Sequence, residues 1–164
     1  IKKIEFFKFM IFFSICMAKR SKKKARKQRK KSITKNSSTK KFNIIDVGGG
    51  GDCFYRVIAH QLGMNPNQFM QIRSKISEYI NINKDSYLPF FENSEEFTNF
   101  VNSIKKKGNW CEGEIEMQSV CNLYNVDLHV YGDNGNINKF TSDNTNKIFR
   151  IYHEVDIHFK SIVD

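Results

Sequence analysis

The stretch Gly48-Gly49-Gly50-Gly51-Asp52-Cys53-Phe54-Tyr55-Arg56 places a cysteine between a run of glycines and a segment with helical periodicity. Glycines permit a tight turn, and the backbone N–H groups of such a turn and the positive end of a helix both favour a thiolate. His158 lies far along the chain and can reach Cys53 only in a folded domain, as in thiol hydrolases. We therefore predict that Cys53 is a nucleophile and His158 its general base.

The same turn predicts an oxyanion hole. A thiol hydrolase needs backbone donors that face the reacting carbonyl, and the N–H groups nearest the nucleophile are the natural ones. The candidate donors are Gly50, Gly51, Asp52 and Cys53.

The charge of the chain is concentrated at its N-terminal end. Residues 1–42 contain 16 Lys/Arg and one acidic residue, whereas residues 43–164 contain 11 Lys/Arg and 16 Asp/Glu. These counts give net charges of +15 and −5, and a total of +10 over 164 residues. The chain is long enough for one domain, and its high pI does not indicate a nucleic-acid-binding body.

Two segments precede the globular part. Residues 1–16 include an apolar run that is too short to span a bilayer and that no small-residue cleavage site follows. Because the chain begins with Ile and Met17-Ala18-Lys19 offers a natural start, we expect residues 1–16 to lie outside the native protein. An intact mass of the native protein that includes them would contradict this expectation.

Residues 17–41 form a basic segment. Thirteen Lys/Arg and no acidic residue lie between positions 19 and 41, which predicts a disordered, solvated tail. Alternatives are a nuclear-localisation signal, an RNA-contacting arm or a contact with an anionic membrane. The absence of aromatic residues that could stack on bases weakens the RNA interpretation.

The cysteines are Cys16, Cys53, Cys111 and Cys121. Their spacing fits neither a zinc site nor a disulfide framework. Free thiols are typical of a reducing intracellular compartment, the cytoplasm or the nucleus.

The globular part, residues 42–164, has helices first and strands later. Apolar residues recur at helical spacing in residues 53–62, 69–80, 94–104 and 114–124. Strand-like sequence covers residues 42–47, 126–130, 137–141 and 147–153, with a hairpin turn at residues 132–136. This order predicts an α+β fold, helices on a small and mostly antiparallel sheet, or a three-layer α/β arrangement. His158 is expected just beyond the last strand.

Four blocks of the chain, in order, resemble the ovarian-tumour (OTU) cysteine proteases. Gly51-Asp52-Cys53-Phe54-Tyr55-Arg56 resembles the nucleophile motif of that family, and Glu114-Ile115-Glu116-Met117-Gln118 resembles the start of one of its helices. Asn125-Val126-Asp127-Leu128-His129-Val130-Tyr131 resembles the strand after that helix. Ile157-His158-Phe159-Lys160-Ser161-Ile162-Val163 resembles the family's ending.

The resemblance implies a papain-like OTU fold and a deubiquitinase of the ubiquitin-conjugation pathway. Cys53 would form a thioester with the C-terminal glycine of ubiquitin, and His158 would act as general base and then acid. The implied partners are ubiquitin, polyubiquitin chains or ubiquitin-like modifiers, and the resemblance implies no metal and no cofactor. The implied compartment is the host cytoplasm or nucleus if the chain is an effector.

The chain departs from the family at two positions. Gly50 stands where the family usually has Asp, and Lys160 stands where an Asn or Asp often orients the imidazole. A lysine cannot accept the imidazole N–H, so we expect Asp156 or Asp46 to orient His158. One alternative is a catalytically impaired OTU-like domain that binds ubiquitin without cutting it. Another is an RNA- or membrane-associated protein whose function lies in residues 19–41.

Two further residues carry simpler expectations. Trp110 is expected to pack against the body or to line a substrate channel. Glu116 is expected to be a helix-start residue that complements the helix dipole, not a catalytic acid.

Overall fold

The computed structural model describes residues 42–143, 145–154 and 158–163. The predictions for residues 1–16 and 17–41, including disorder, lie outside the described residues. Asp156 also lies outside them.

The helices lie where the periodicity predicts them. They are α1 (Cys53–Gln61), α2 (Phe69–Ile82), α3 (Lys84–Tyr87), α4 (Ser94–Ile104) and α5 (Glu114–Tyr124). The Asn65 side chain caps the short turn Pro66–Gln68 before α2, and the Asn93 side chain caps α4. The sequence did not predict α3, because four residues are too few to show a helical period.

The strands form one five-stranded sheet within the described residues. They are β1 (Asn43–Ile45), β2 (Asp127–Gly132), β3 (Ile137–Phe140), β4 (Ile148–Glu154) and β5 (His158–Val163), in the order β1-β5-β4-β2-β3. Only β2 and β4 pair in parallel, and the other three pairs are antiparallel. The expected α+β fold with a mostly antiparallel sheet is therefore confirmed.

Strand β5 corrects one expectation. His158 does not lie beyond the last strand but begins a strand, opposite Glu154 of β4. On its other side β5 pairs with β1, so that Ser161 lies opposite Ile45. Because this pair is antiparallel, the chain that leaves β1 after Ile45 runs back alongside the start of β5. The sheet thereby brings the residues before the glycine turn next to His158.

Helix α1 lies at the centre of the core. Phe54, Tyr55, Val57, Ile58 and Ala59 are fully buried. Burial of a large apolar side chain contributes about 1.5–3 kcal/mol, so the helix that starts at Cys53 is firmly held. No helix among the described residues is both long enough and apolar enough to cross a membrane.

Candidate active site

The glycine turn adopts a backbone that few other residues could follow. Gly48, Gly50 and Gly51 have φ values of 101°, 70° and 57°, in the left-handed region that glycine enters without penalty. At Gly51 a Cβ atom would also overlap the backbone carbonyl of Gly108. At Gly50 the corresponding space is open. Gly51 is therefore required both for its dihedral angles and for this close approach.

Cys53 is the first residue of α1 and is only 1% exposed. Burial raises the pKa of its thiol, and the backbone N–H groups of Phe159 and Phe54 offset part of that rise. The sequence led us to expect a stabilised thiolate, and the pKa shift is in the opposite direction because desolvation disfavours the charged form. A buried thiol can act as a nucleophile only with a base beside it.

Asp46 holds the imidazole of His158. The distance between His158 Nε2 and Asp46 Oδ1 is 3.0 Å. The Gly48 N–H donates to the same carboxylate oxygen at 2.9 Å. These two hydrogen bonds, that from Gly48 first, lower the pKa of Asp46, so the carboxylate is ionised at neutral pH.

The other ring nitrogen of His158 faces the glycine turn. A Cβ atom on Gly49 would lie 3.6 Å from Nδ1. The next residue, Phe159, has its N–H at the Cys53 sulfur. The structure therefore places Cys53, His158 and Asp46 close together. His158 Nε2 contacts the Asp46 carboxylate, and His158 Nδ1 faces the glycine turn.

The positive charge of Lys160, two residues after His158, is balanced by an acidic side chain. Its ammonium group forms an ion pair with Glu154 at 2.8 Å. Asp46 supplies the acceptor that position 160 lacks. Of the two acids that the sequence offered for orienting His158, Asp46 is the one in hydrogen-bond contact with it, and Asp156 is outside the described residues.

One expected oxyanion donor is already used. The Asp52 N–H donates to the Gly50 carbonyl at 2.5 Å within the turn, so it cannot face a substrate oxygen in this conformation. Gly50, Gly51 and Cys53 stay as predicted donors. The Asp52 side chain does not cap α1 either, because it is engaged by Arg73.

Arg73 ties the glycine turn to the rest of the domain, and sequence reasoning missed it. Its guanidinium donates to Asp52 Oδ1 from Nε at 2.9 Å and from Nη2 at 2.6 Å. It also donates to the carbonyls of Gly51 at 2.9 Å and Ile104 at 2.8 Å, and to that of Asn109. The turn before Cys53 and the loop after α4 are therefore fixed to one buried cation.

A signal for Arg73 was present in the sequence. It is a lone cation on the apolar face of α2, next to Ile72 and one turn from Ile76, and all three side chains are fully buried. A buried charge needs a partner and hydrogen bonds. A cation on an apolar helix face thus indicates an acid elsewhere, although the sequence does not say that the acid is Asp52.

Glu116 lies in the first turn of α5, as expected, and also makes buried contacts, whereas Trp110 differs from one of its two expectations. Glu116 is 1% exposed and accepts hydrogen bonds from the Tyr55 hydroxyl and, at 2.5 Å, from the Glu112 N–H. It therefore joins α5 to α1, and burial raises the pKa of its carboxyl. Trp110 is 50% exposed, so the expectation that it packs in the body is wrong. Its place in a substrate channel stays a prediction.

Comparison with known proteins identifies the family. Residues 48–161 match the family model described as OTU-like cysteine protease. The chain belongs to this family. It is 30% identical over 124 residues to the OVARIAN TUMOR DOMAIN-containing deubiquitinating enzyme 7 of Arabidopsis thaliana. That match covers 74% of this chain and 32% of the relative, so the chain spans about a third of the relative's length.

Solved OTU structures share the fold. The OTU domain of OTUD1 has a TM-score of 0.66 at 15% identity, over 75% of this chain and 86% of that one. An ovarian tumor (OTU) domain solved in complex with ubiquitin has a TM-score of 0.62 at 20% identity, over 74% and 69% of the two chains. At these identities the likeness concerns the fold, and it confirms the OTU fold expected from the motifs.

Proposed function

We propose that this OTU-family chain is a deubiquitinase, which hydrolyses isopeptide or peptide bonds after the C-terminal glycine of ubiquitin. One observation carries the proposal. Cys53 begins α1 beside the first residues of β5, where Asp46 holds His158 through Nε2 at 3.0 Å. A thiol, a base and a group that orients the base are the components that nucleophilic hydrolysis requires.

In the first half of the proposed reaction, His158 Nδ1 takes the thiol proton as the Cys53 sulfur attacks the glycine carbonyl. The carbonyl oxygen gains the negative charge and accepts hydrogen bonds from backbone N–H groups of the glycine turn, with Gly51 and Cys53 as the proposed donors. When the C–N bond breaks, His158 gives its proton to the leaving amine. Ubiquitin is then held as a thioester.

In the second half, a water molecule replaces the amine. His158 takes a proton from the water, and the oxygen attacks the thioester carbonyl. The C–S bond breaks, the sulfur regains the proton, and ubiquitin leaves with a free carboxylate. Asp46 stabilises the imidazolium that forms in each half, since its lowered pKa keeps it ionised.

We propose ubiquitin as the protein that is released, because the names of two relatives refer to it. The Arabidopsis relative is named a deubiquitinating enzyme, and a relative from Schizosaccharomyces pombe is named ubiquitin thioesterase otu2. Polyubiquitin chains and ubiquitin-like modifiers are further candidates of the same class. Because the nucleophile must stay reduced, we also propose a reducing compartment, such as the cytoplasm or the nucleus.

The alternative of a ubiquitin-binding domain without activity rested on Gly50 and Lys160. The bond between Asp46 and His158 weakens that alternative, since it supplies the orienting acceptor. Lys160 is paired elsewhere, since its ammonium group forms an ion pair with Glu154.

The test is turnover of a ubiquitin C-terminal fluorogenic amide and of a panel of diubiquitin linkages by the full chain. We expect hydrolysis by the unmodified protein, none by Cys53→Ala, and retained activity in Cys111→Ala, a matched cysteine control. Binding of ubiquitin without any turnover would contradict the proposal and favour the binding domain. Turnover of a ubiquitin-like modifier alone would replace the proposed substrate.

A further inference from the structure

A turn of three lysines, which we call the lysine turn (residues 105–107), follows α4. All three side chains are exposed. Within the described residues none of the three has an ion-pair partner. The turn is unusual for this body, because residues 43–164 carry a net charge of −5.

Folding alone does not explain this charge. A cation near the C-terminus of α4 complements the helix dipole, and Lys105, the first residue after the helix, is sufficient for that. Lys106 and Lys107 lie beyond the helix and add like charge next to it. Adjacent like charges repel each other, so they are more easily explained by a negatively charged partner.

The backbone of the turn is held firmly in place. The Lys106 N–H donates to the Ser103 carbonyl at 3.0 Å, and the Gly108 N–H donates to Asp52 Oδ1 at 2.9 Å. Arg73 holds the carbonyls at both ends, those of Ile104 and Asn109. A surface whose backbone is already ordered loses less entropy when it binds a partner.

The lysine turn lies against the glycine turn that precedes Cys53. The Gly108 carbonyl occupies the space that a side chain at Gly51 would need, two residues before Cys53. Trp110 follows in the same loop and is 50% exposed. Since Lys107 precedes Gly108 directly, the charges lie beside the turn that leads to Cys53.

We propose that the lysine turn and Trp110 bind an acidic segment of the protein that carries the scissile bond. This inference rests on the proposed function and adds a substrate preference to it. The ammonium groups attract carboxylates, and the indole of Trp110 offers an apolar surface beside them. Exposed ion pairs are individually weak, so three lysines correspond to about a three- to tenfold preference for an acidic over a neutral segment.

The test uses ubiquitin fusions that differ only in the peptide after the scissile glycine, with a run of Glu, Gln or Lys residues. The first measurement is the affinity of full-length Cys53→Ala for each fusion by fluorescence anisotropy, which does not depend on catalysis. The second is kcat/KM for each fusion with active protein, beside a ubiquitin fluorogenic amide that has no such peptide. We expect a preference for the Glu fusion in both, and we expect salt to reduce it as the Debye length falls to about 8 Å or less.

The decisive variant changes Lys105, Lys106 and Lys107 to Gln, and a matched control changes the exposed Lys75, Lys139 and Lys147 to Gln. We expect the preference for Glu to be about three- to tenfold smaller in the first variant than in the control, with the fluorogenic amide cleaved equally by both. All variants retain residues 1–41, so attraction of acidic peptides to that basic segment is common to them.

The outcomes separate the two proposals. A preference for Glu that is as large in the 105–107 variant as in the control variant, or no preference in the unmodified protein, would overturn the lysine-turn proposal while leaving deubiquitination intact. If the 105–107 variant cleaves the fluorogenic amide more slowly as well, the lysines act on ubiquitin itself and the proposal is also overturned. A preference in binding with no turnover of any substrate would instead contradict the proposed function alone.

Discussion

His158 Nε2 lies 3.0 Å from Asp46 Oδ1, although 112 positions separate the two residues in the chain. The sheet explains this proximity, because Asp46 follows β1 and His158 begins β5, and these strands pair side by side. The carboxylate in hydrogen-bond contact with His158 therefore comes from the segment that precedes Cys53. Position 160, where the family often places this group, holds a lysine paired with Glu154.

Replacing Asp46 should slow the chemical step. In Asp46→Ala the imidazole loses its acceptor, and we expect kcat to fall by about 10²-fold, within the range of general acid–base contributions. In Asp46→Asn the amide oxygen can still accept the imidazole N–H, as Asn does in papain-like triads, so much of the activity should return. The measurement is kcat and KM for a ubiquitin fluorogenic amide.

Asp156→Ala is the competing variant, and Asp85→Ala, on an exposed part of α3, is the matched control. We expect both to retain activity. A large loss in Asp156→Ala, with little change in Asp46→Ala, would assign the orienting role to Asp156.

Gly51 and Gly50 should respond differently to alanine. Both have positive φ, and a left-handed residue with a side chain costs about 1–2 kcal/mol. Gly51→Ala adds an overlap with the Gly108 carbonyl, whereas Gly50→Ala meets open space. We expect urea unfolding to show a loss of about 1 kcal/mol for Gly50→Ala and a distinctly larger loss for Gly51→Ala. Equal losses would mean that the contact between the two loops does not constrain position 51.

Arg73 and Asp52 should behave as a coupled pair. Removing one partner of a buried ion pair leaves an uncompensated charge and costs about 3–5 kcal/mol. We therefore expect Arg73→Met to be strongly destabilising and the double variant Arg73→Met/Asp52→Asn to be less so than the sum of the single changes. A double-mutant cycle on the free energy of unfolding measures this coupling. Additive effects would show that the two side chains act independently.

The reactivity of Cys53 should depend on His158 and on pH. Burial raises the pKa of the Cys53 thiol above its ordinary value of 9.0. The thiol is therefore protonated at neutral pH, and it ionises only as the pH rises through this raised pKa. In His158→Ala we expect alkylation of Cys53 by iodoacetamide, followed by peptide mapping, to keep rising beyond about pH 9. A plateau near neutral pH in that variant would show that the turn alone stabilises the thiolate.

The sequence allowed the helices and much of the site to be predicted. Local signals were sufficient where a pattern was long, as for the apolar face from Cys53 to Gln61 and for the hairpin turn at residues 132–136. The glycine run and Cys53 indicated the nucleophile because the required chemistry is local. His158 was predicted as the base from its place far along the chain, and the resemblance to the family's ending supported that prediction.

What the sequence did not reveal depends on long-range contacts. The contact between Asp46 and His158 depends on the pairing of β1 with β5. The roles of Arg73 and Gly108 needed a loop after α4 to lie against a turn before α1. The direction of the Cys53 pKa shift also depended on burial, which outweighs the local backbone N–H groups.

The most direct test of the account is reaction of the full chain with ubiquitin that carries a C-terminal electrophile, read by intact mass and peptide mapping. The account predicts a single covalent adduct at Cys53, absent in Cys53→Ala and strongly slowed in His158→Ala. An adduct at another cysteine, or none with a folded protein that binds ubiquitin, would contradict it.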